Sequence, residues 1–132
     1  MKLLLDTNIF IWLNDAPQRI PDRIMSIVTD PDHNLSLSLV SVWEMQIKIQ
    51  LGKLQLQDSL QQILTTQQSE NDLQILTIEL GHILRLADLP HHHRDPFDRL
   101  IIAQTQAEEM TLVSADGVFA SYDVNLLSFS PI

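Results

Sequence analysis

Cysteine is absent from the chain, which removes disulfides, thiolate zinc sites and cysteine nucleophiles together. The absence fits a reducing, cytoplasmic setting. Positive charge is also scarce: 8 Lys and Arg stand against 17 Asp and Glu, for a net charge of −9. That balance counts against simple electrostatic binding of nucleic acid, and favours metal cations or a basic protein partner. Only three glycines are present, and no Gly-rich phosphate loop can be built from them. No apolar run approaches the ~18–20 residues needed to span a bilayer, so no membrane role is expected. The start, Met1 to Leu5, briefly resembles a signal peptide, but Asp6 and Asn8 interrupt it and no small-residue cleavage site follows. The expectation is a mature, soluble protein. What is there suits one domain over 1–132: the chain is 45% hydrophobic, enough for a core without staples.

Strand and helix patterns alternate along the chain. Lys2–Leu5 is a short apolar run that reads as a buried strand, and Thr7–Leu13 as a short helix. Pro21 suits the first turn of a second helix, to about Thr29. Pro31–Asn34 is a turn, and Leu35–Leu39 a second strand. Ser41 and Glu44 have capping-box spacing, so a helix is expected to start at Ser41. Val40, Trp43, Ile47 and Leu51 give it an apolar stripe, and Gly52 ends it. Asp58–Ser69 is another amphipathic helix, with Leu60, Ile63 and Leu64 facing in. Leu73–Thr77 is a third strand, with Thr77 capping a helix to about Ala87. Pro90–Arg94 is a loop. Asp95 and Pro96 cap and open the clearest helix, to about Glu109. Thr111–Val113 is a fourth strand, Val118–Ser121 a short helix, and Asn125–Ser128 a last strand. The pattern predicts an α/β fold with a mainly parallel sheet of about five strands flanked by helices.

Ligand sites in such folds lie beyond the carboxyl ends of the strands. Asp6 follows the first strand directly. Glu44 lies in the first turns of the helix after the second. Asp116 lies just beyond the fourth. The helix from Pro96 joins the fourth strand through a very short link, so it ends at the opposite edge of the sheet and must begin at the carboxyl edge. Asp98 is in its first turn. Asp6, Glu44, Asp98 and Asp116 are therefore expected to converge although they are scattered in sequence. Crowded carboxylates repel one another, and a divalent cation relieves that repulsion. All-oxygen ligands suit Mg²⁺ or Mn²⁺, ions that serve phosphodiester chemistry.

Each acid also has an ordinary local explanation. Asp6 can cap the first helix, Glu44 can pair with Ser41 in the capping box, Asp98 suits a helix N-terminus, and Asp116 before Gly117 suits a turn. Convergence is what these explanations do not predict. His91, His92 and His93 read as a solvated loop, because consecutive histidines do not easily face one point; the alternative is that one of them approaches substrate, since Asp95 follows so closely. Trp12 and Trp43 sit at helical core spacings and read as packing residues rather than base-stacking platforms. Lys48, Arg94 and Arg99 are the nearest candidates for phosphate contacts, with surface ion pairing as the alternative. Thr7 and Asn8 are either substrate contacts or simple helix-start residues.

These residues together resemble a known family. Leu5-Asp6-Thr7-Asn8 is similar to the opening motif of PIN domains. Val42-Trp43-Glu44 followed by Lys48 is similar to the second. His93 through Gln104, with Asp95-Pro96-Phe97-Asp98-Arg99 at its heart, resembles the third motif of one bacterial branch, and Thr111 through Asp116 the fourth. The resemblance covers the whole chain in order, and the third segment is its most specific part. It implies a PIN-like fold and Mg²⁺- or Mn²⁺-dependent cleavage of RNA. Asp6, Glu44 and Asp98 match the central metal ligands and Asp116 the fourth, less uniform acid. Thr7 and Ser114 match hydroxyl positions near the metal, while Asp95 is an additional acid of this branch. Free-standing PIN domains of this size look like the toxins of VapBC-type toxin–antitoxin pairs. Such toxins are dimers held inactive by a small antitoxin whose basic segment enters the acidic site.

Two other readings compete with an endoribonuclease. One is a catalytically weak binding or regulatory module on the same fold, motivated by the acidic charge. The other is a receiver-like domain using Asp6 as phospho-acceptor. It ranks last, because no matched lysine follows Thr111–Ser114 or Asn125–Ser128.

Overall fold

Leu3, Leu4 and Leu5 have no exposed surface, as a strand covered on both faces requires. In the computed structural model, which describes residues 1–130, they form β1 (Lys2–Leu5). The chain continues through α1 (Thr7–Asp15), α2 (Asp22–Val28), β2 (Asn34–Ser38), α3 (Leu39–Gln50), α4 (Leu60–Asn71) and β3 (Gln74–Leu76). It closes with α5 (Leu80–Arg85), α6 (Pro96–Ala107), β4 (Thr111–Ser114) and β5 (Asn125–Ser128). Short 3₁₀ turns occupy Pro17–Arg19, Leu86–Asp88 and Gly117–Ser121. The sheet order is β3-β2-β1-β4-β5, and every pairing is parallel. The expected parallel α/β architecture is what the chain adopts.

Alternation along β1 divides the interior in two. Leu3 and Leu5 pack on one side with Ile9, Phe10, Ile24, Leu37 and Met45, which α1, α2, β2 and α3 supply. Leu4 packs on the other with Ile101, Ile102 and Ala103 of α6, and with Leu112 and Phe119. Each fully buried leucine or isoleucine contributes about 1.5–3 kcal/mol of transfer free energy. These two layers clamp the sheet rigidly beneath its carboxyl edge.

Register then decides what stands at that edge. Leu5 is level with Leu37 of β2 and with Val113 of β4. The backbone of Asp6 continues the ladder by one bond, its N–H donating to the Val113 carbonyl at 3.0 Å. Chain order runs outward from β1 through β2 to β3, then returns to β4 on the other side. The crevice at such a reversal is where open α/β sheets bind ligands, and here it lies between the ends of β1 and β4.

The structure corrects several details. Helix α3 begins at Leu39, with the Ser38 hydroxyl accepting the Val40 N–H as its cap. Ser41 and Glu44 are therefore not a capping box; both are buried inside the helix. Strand β2 runs into α3 with no loop, so the cap lies in a residue assigned from sequence to the strand. The expected stripe of Val40, Trp43, Ile47 and Leu51 is also out of phase: Trp43 is 57% and Leu51 63% exposed, while Val40, Ser41, Glu44 and Met45 are buried. Pro21 precedes α2 as its N-cap residue. The fourth helix starts at Leu60, where the Ser59 hydroxyl accepts the Gln62 N–H. Glu79 rather than Thr77 caps α5, and the His82 ring accepts the Glu79 N–H at 3.0 Å.

Candidate active site

Asp6 is held from both sides at the end of β1. One carboxylate oxygen accepts the Thr7 N–H at 2.8 Å, the other the Ser114 hydroxyl at 2.8 Å. Ser114 is the last residue of β4, and its oxygen also accepts the Asp116 N–H at 3.0 Å. One hydroxyl thus ties the exits of the two central strands together. Asp6 remains only 6% exposed. Burial pushes its carboxyl up to about 7, the Ser114 hydrogen bond opposes that rise, and the negative charges of Asp98 and Glu44 add to it.

Glu44 reaches the same space from the second turn of α3. The Thr7 hydroxyl donates to it at 2.8 Å and lies 2.9 Å from the Ser41 hydroxyl. Lys48, one turn further on, sits 3.1 Å from its second oxygen. The inward face of α3 is polar here because it looks onto the carboxyl edge of the sheet rather than into the core.

Asp98 arrives from the first turn of α6. Asp95 caps that helix, its carboxylate accepting the N–H groups of Phe97 at 2.8 Å and Asp98 at 3.4 Å, and Pro96 occupies the first position. Burial pushes the Asp98 carboxyl up to about 6; the His93 hydrogen bond lowers it, and Asp95 and Glu44 raise it. Asp6, Glu44 and Asp98 therefore share one electrostatic neighbourhood, drawn from the ends of β1, α3 and α6.

Asp116 stands at the rim. Its carboxylate accepts the Val118 N–H at 3.0 Å, as a turn residue would. It is also within reach of Asp98: potential ligand atoms of His93, Asp98 and Asp116 all lie within 4.8 Å of one another. His93 takes the less favoured of the two sequence readings of its loop, with one histidine turned toward the site. Its Nε2 is 2.7 Å from an Asp98 carboxylate oxygen, and its backbone N–H donates to the Tyr122 hydroxyl at 2.8 Å. His92 stacks edge-on against the same tyrosine, at 5.2 Å between centroids. The loop is thereby folded against Tyr122, and one of its three histidines meets the acids. The sequence signal for it is the closeness of the histidines to Asp95.

The remaining candidates are distributed unevenly. Thr7 and Ser114 hold carboxylates in place. The Arg99 guanidinium donates to the carbonyls of Pro90 at 2.8 Å and Leu86 at 3.4 Å, which braces the loop before α6. Arg94 and Asn8 are exposed, and neither side chain has a hydrogen bond among the described residues.

The donor set is mostly carboxylate oxygen with one imidazole at its edge. Burial and mutual repulsion raise two of its acids, Asp6 to about 7 and Asp98 to about 6. Hard divalent cations choose oxygen donors of this kind, and their charge would remove the repulsion that raises Asp6 and Asp98.

Comparison with known proteins bears on the family and the fold. A family model described as the PIN domain matches residues 3–125. The fold is similar to VapBC2 from Rickettsia felis, solved bound to a promoter DNA fragment, with a TM-score of 0.72, 20% identity and full coverage of both chains. It is similar to DNA-bound VapBC from Salmonella typhimurium, with a TM-score of 0.68 and 14% identity over 97% of this chain and 98% of that one. A third similar structure is VapBC-5 of Mycobacterium tuberculosis, a member of the VapBC family of toxin–antitoxin systems, with a TM-score of 0.57 and 20% identity over 98% of each chain. No curated protein matches the chain in sequence.

Proposed function

The chain belongs to the PIN-domain family, and on that premise we propose that it is a metal-dependent endoribonuclease, the toxin of a type II toxin–antitoxin pair. The observation that carries this reading is the meeting of Asp6, Glu44 and Asp98 from three separate elements, where burial first and then their charges raise the acids of Asp6 and Asp98. Asp6, Glu44 and Asp98 would hold Mg²⁺ or Mn²⁺, with Asp116 in support. Such an ion polarises a phosphoryl oxygen, lowers the pKa of an attacking water and stabilises the leaving oxygen.

The chain's own residues do the positioning. Ser114 and the Thr7 amide fix both oxygens of Asp6. The Thr7 hydroxyl fixes Glu44, and Lys48 offsets part of its charge. His93 orients Asp98 from outside. Arg99 follows Asp98 directly but is taken up by the Pro90 and Leu86 carbonyls, so substrate phosphates are assigned to Arg94 and, in exchange for its pair with Glu44, to Lys48.

The toxin assignment draws on the fold likeness to VapBC proteins and on charge. A net charge of −9 suits an antitoxin with a basic segment that neutralises the acid cluster. A homodimer and a cytoplasmic setting belong to the same reading; no described helix is long and apolar enough to cross a membrane. The same negative charge favours a second reading, a catalytically weak regulatory module. Turnover separates the two. The purified protein should cut a panel of tRNA and rRNA fragments repeatedly with Mn²⁺, and not in EDTA. Asp98→Asn should fold and cut nothing. Full cleavage by that variant would remove Asp98 from the mechanism, and a folded wild type that binds Mn²⁺ but cuts no RNA would favour the regulatory module.

A further inference from the structure

Trp43 precedes Glu44 in sequence, and Phe97 precedes Asp98. The two aromatic rings meet edge to face across α3 and α6, with centroids 5.1 Å apart and planes at 79°. In that arrangement the edge of one ring meets a face of the other, so at least one face of the indole is clear of Phe97. Trp43 is 57% exposed, which its expected role as a packing residue does not allow. A large aromatic surface is thus presented to solvent beside the acid cluster, and core packing does not account for it.

The cations near the cluster provide little attraction for RNA. Lys48 is engaged with Glu44 at 3.1 Å, and Arg99 with two backbone carbonyls. Of the three phosphate candidates, Arg94 alone has no ion pair or hydrogen bond among the described residues, and the net charge is −9. RNA held here needs a source of affinity that does not depend on charge. Base–aromatic stacking is such a source, and every base has a face that can use it.

We propose that Trp43, braced by Phe97, is a stacking platform for an unpaired nucleobase next to the scissile phosphate. The inference rests on the nuclease reading, and its test separates the two. With Trp12 replaced by Phe, Trp43 is the sole tryptophan of the chain. Its emission is followed by stopped flow on mixing with a short single-stranded RNA of mixed sequence and Mg²⁺, before cutting begins. If Trp12→Phe does not fold, the difference between wild type and Trp43→Phe gives the same signal. Stacking should quench the emission. Trp43→Leu should raise KM for RNA cleavage about 5- to 150-fold, the range one stacked base provides, with kcat and Mn²⁺ affinity little changed. Trp43→Phe should keep most of the affinity.

Unquenched emission together with an unchanged KM in Trp43→Leu would overturn the platform while leaving the nuclease intact. So would a Trp43→Leu protein that changes only its oligomeric state on gel filtration, with RNA affinity per protomer unaltered; the indole would then cover a second copy of the chain. A wild type that cuts no RNA but shows the quench would keep the platform and sink the nuclease. Neither cutting nor quench would remove both.

Discussion

Replacing Asp6 by Asn should stabilise the metal-free protein, although Asp6 stands at the centre of the proposed site. The side chain is almost wholly buried, and its carboxyl is raised from 3.8 to about 7, first by burial and then by the charges of Asp98 and Glu44 against the opposing hydrogen bonds. Raising a carboxyl that far means that ionised Asp6 costs the folded chain roughly 4 kcal/mol, at about 1.36 kcal/mol for each tenfold change in proton affinity. Asparagine is nearly isosteric and carries no charge. Its carbonyl can still accept the Thr7 N–H, but the Ser114 hydroxyl loses its charged acceptor, at about 1.5–3 kcal/mol. A net gain of about 1–3 kcal/mol at pH 8 follows, several degrees in Tm for a chain of this length. The sign with pH is fixed by linkage. Between about pH 4 and pH 7 folded Asp6 keeps a proton that the unfolded chain has released, so wild-type stability falls as pH rises through that window. The advantage of the variant should therefore be full at pH 8 and absent near pH 4. Thermal unfolding in EDTA at both pH values measures it. Saturating Mn²⁺ should reverse the order, because an ion bound only by the folded wild type stabilises it by mass action. A variant that is no more stable than wild type at pH 8, or equally favoured at pH 4, would refute the account of a repulsive, ion-seeking carboxylate.

Two further outcomes concern the residues that hold the acids. Ser114→Ala removes the hydrogen bond that lowers the Asp6 carboxyl, so Mn²⁺ affinity followed by calorimetry should reach its plateau at higher pH than in wild type. An unmoved profile would deny Ser114 its hold on Asp6. His93→Ala removes the partner of Asp98; Mn²⁺ affinity should fall about 10- to 100-fold, as when a group orienting a metal ligand is lost, with Tm in EDTA little altered. Unchanged affinity would return His93 to the role of a loop residue.

Much of the frame was legible because its signals are local. Leu3–Leu5 and Thr111–Val113 are short apolar runs, and both faces of a parallel sheet are buried, so an unbroken run is what such strands need. Asp95-Pro96 states its helix start outright, and the structure confirms both the cap and the proline's place. The direction of travel from that helix into the fourth strand then places Asp98 at the carboxyl edge. The misses arise where the deciding contact is distant. Ser41 and Glu44 satisfy the spacing rule for a cap, but the rule cannot see that β2 feeds α3 without a loop and that Ser38 already holds the turn. Arg99 reads as a phosphate contact or a surface ion pair, and does neither job because the distant carbonyls of Leu86 and Pro90 hold it. His93 reads as solvated until Tyr122 folds its loop onto the acids.

The phase error in α3 carries more information than the correct assignments. Local helix logic would bury Trp43 and leave Glu44 in water. The chain does the reverse, leaving Glu44 8% and Trp43 57% exposed. A buried carboxylate and an exposed indole at adjacent positions are each unfavourable alone. Sequences that fold well keep such conflicts few and concentrate them at sites under another demand. Thr7 shows that the conflict is built rather than tolerated. Its backbone N–H serves Asp6 and its hydroxyl serves Glu44, so one residue at the start of α1 supports two acids that repel each other. No folding requirement calls for that arrangement, because an alanine at 44 would bury no charge and need no partner. The inversion on α3 therefore marks the same place as the acid convergence, by reasoning that uses neither strand order nor motif.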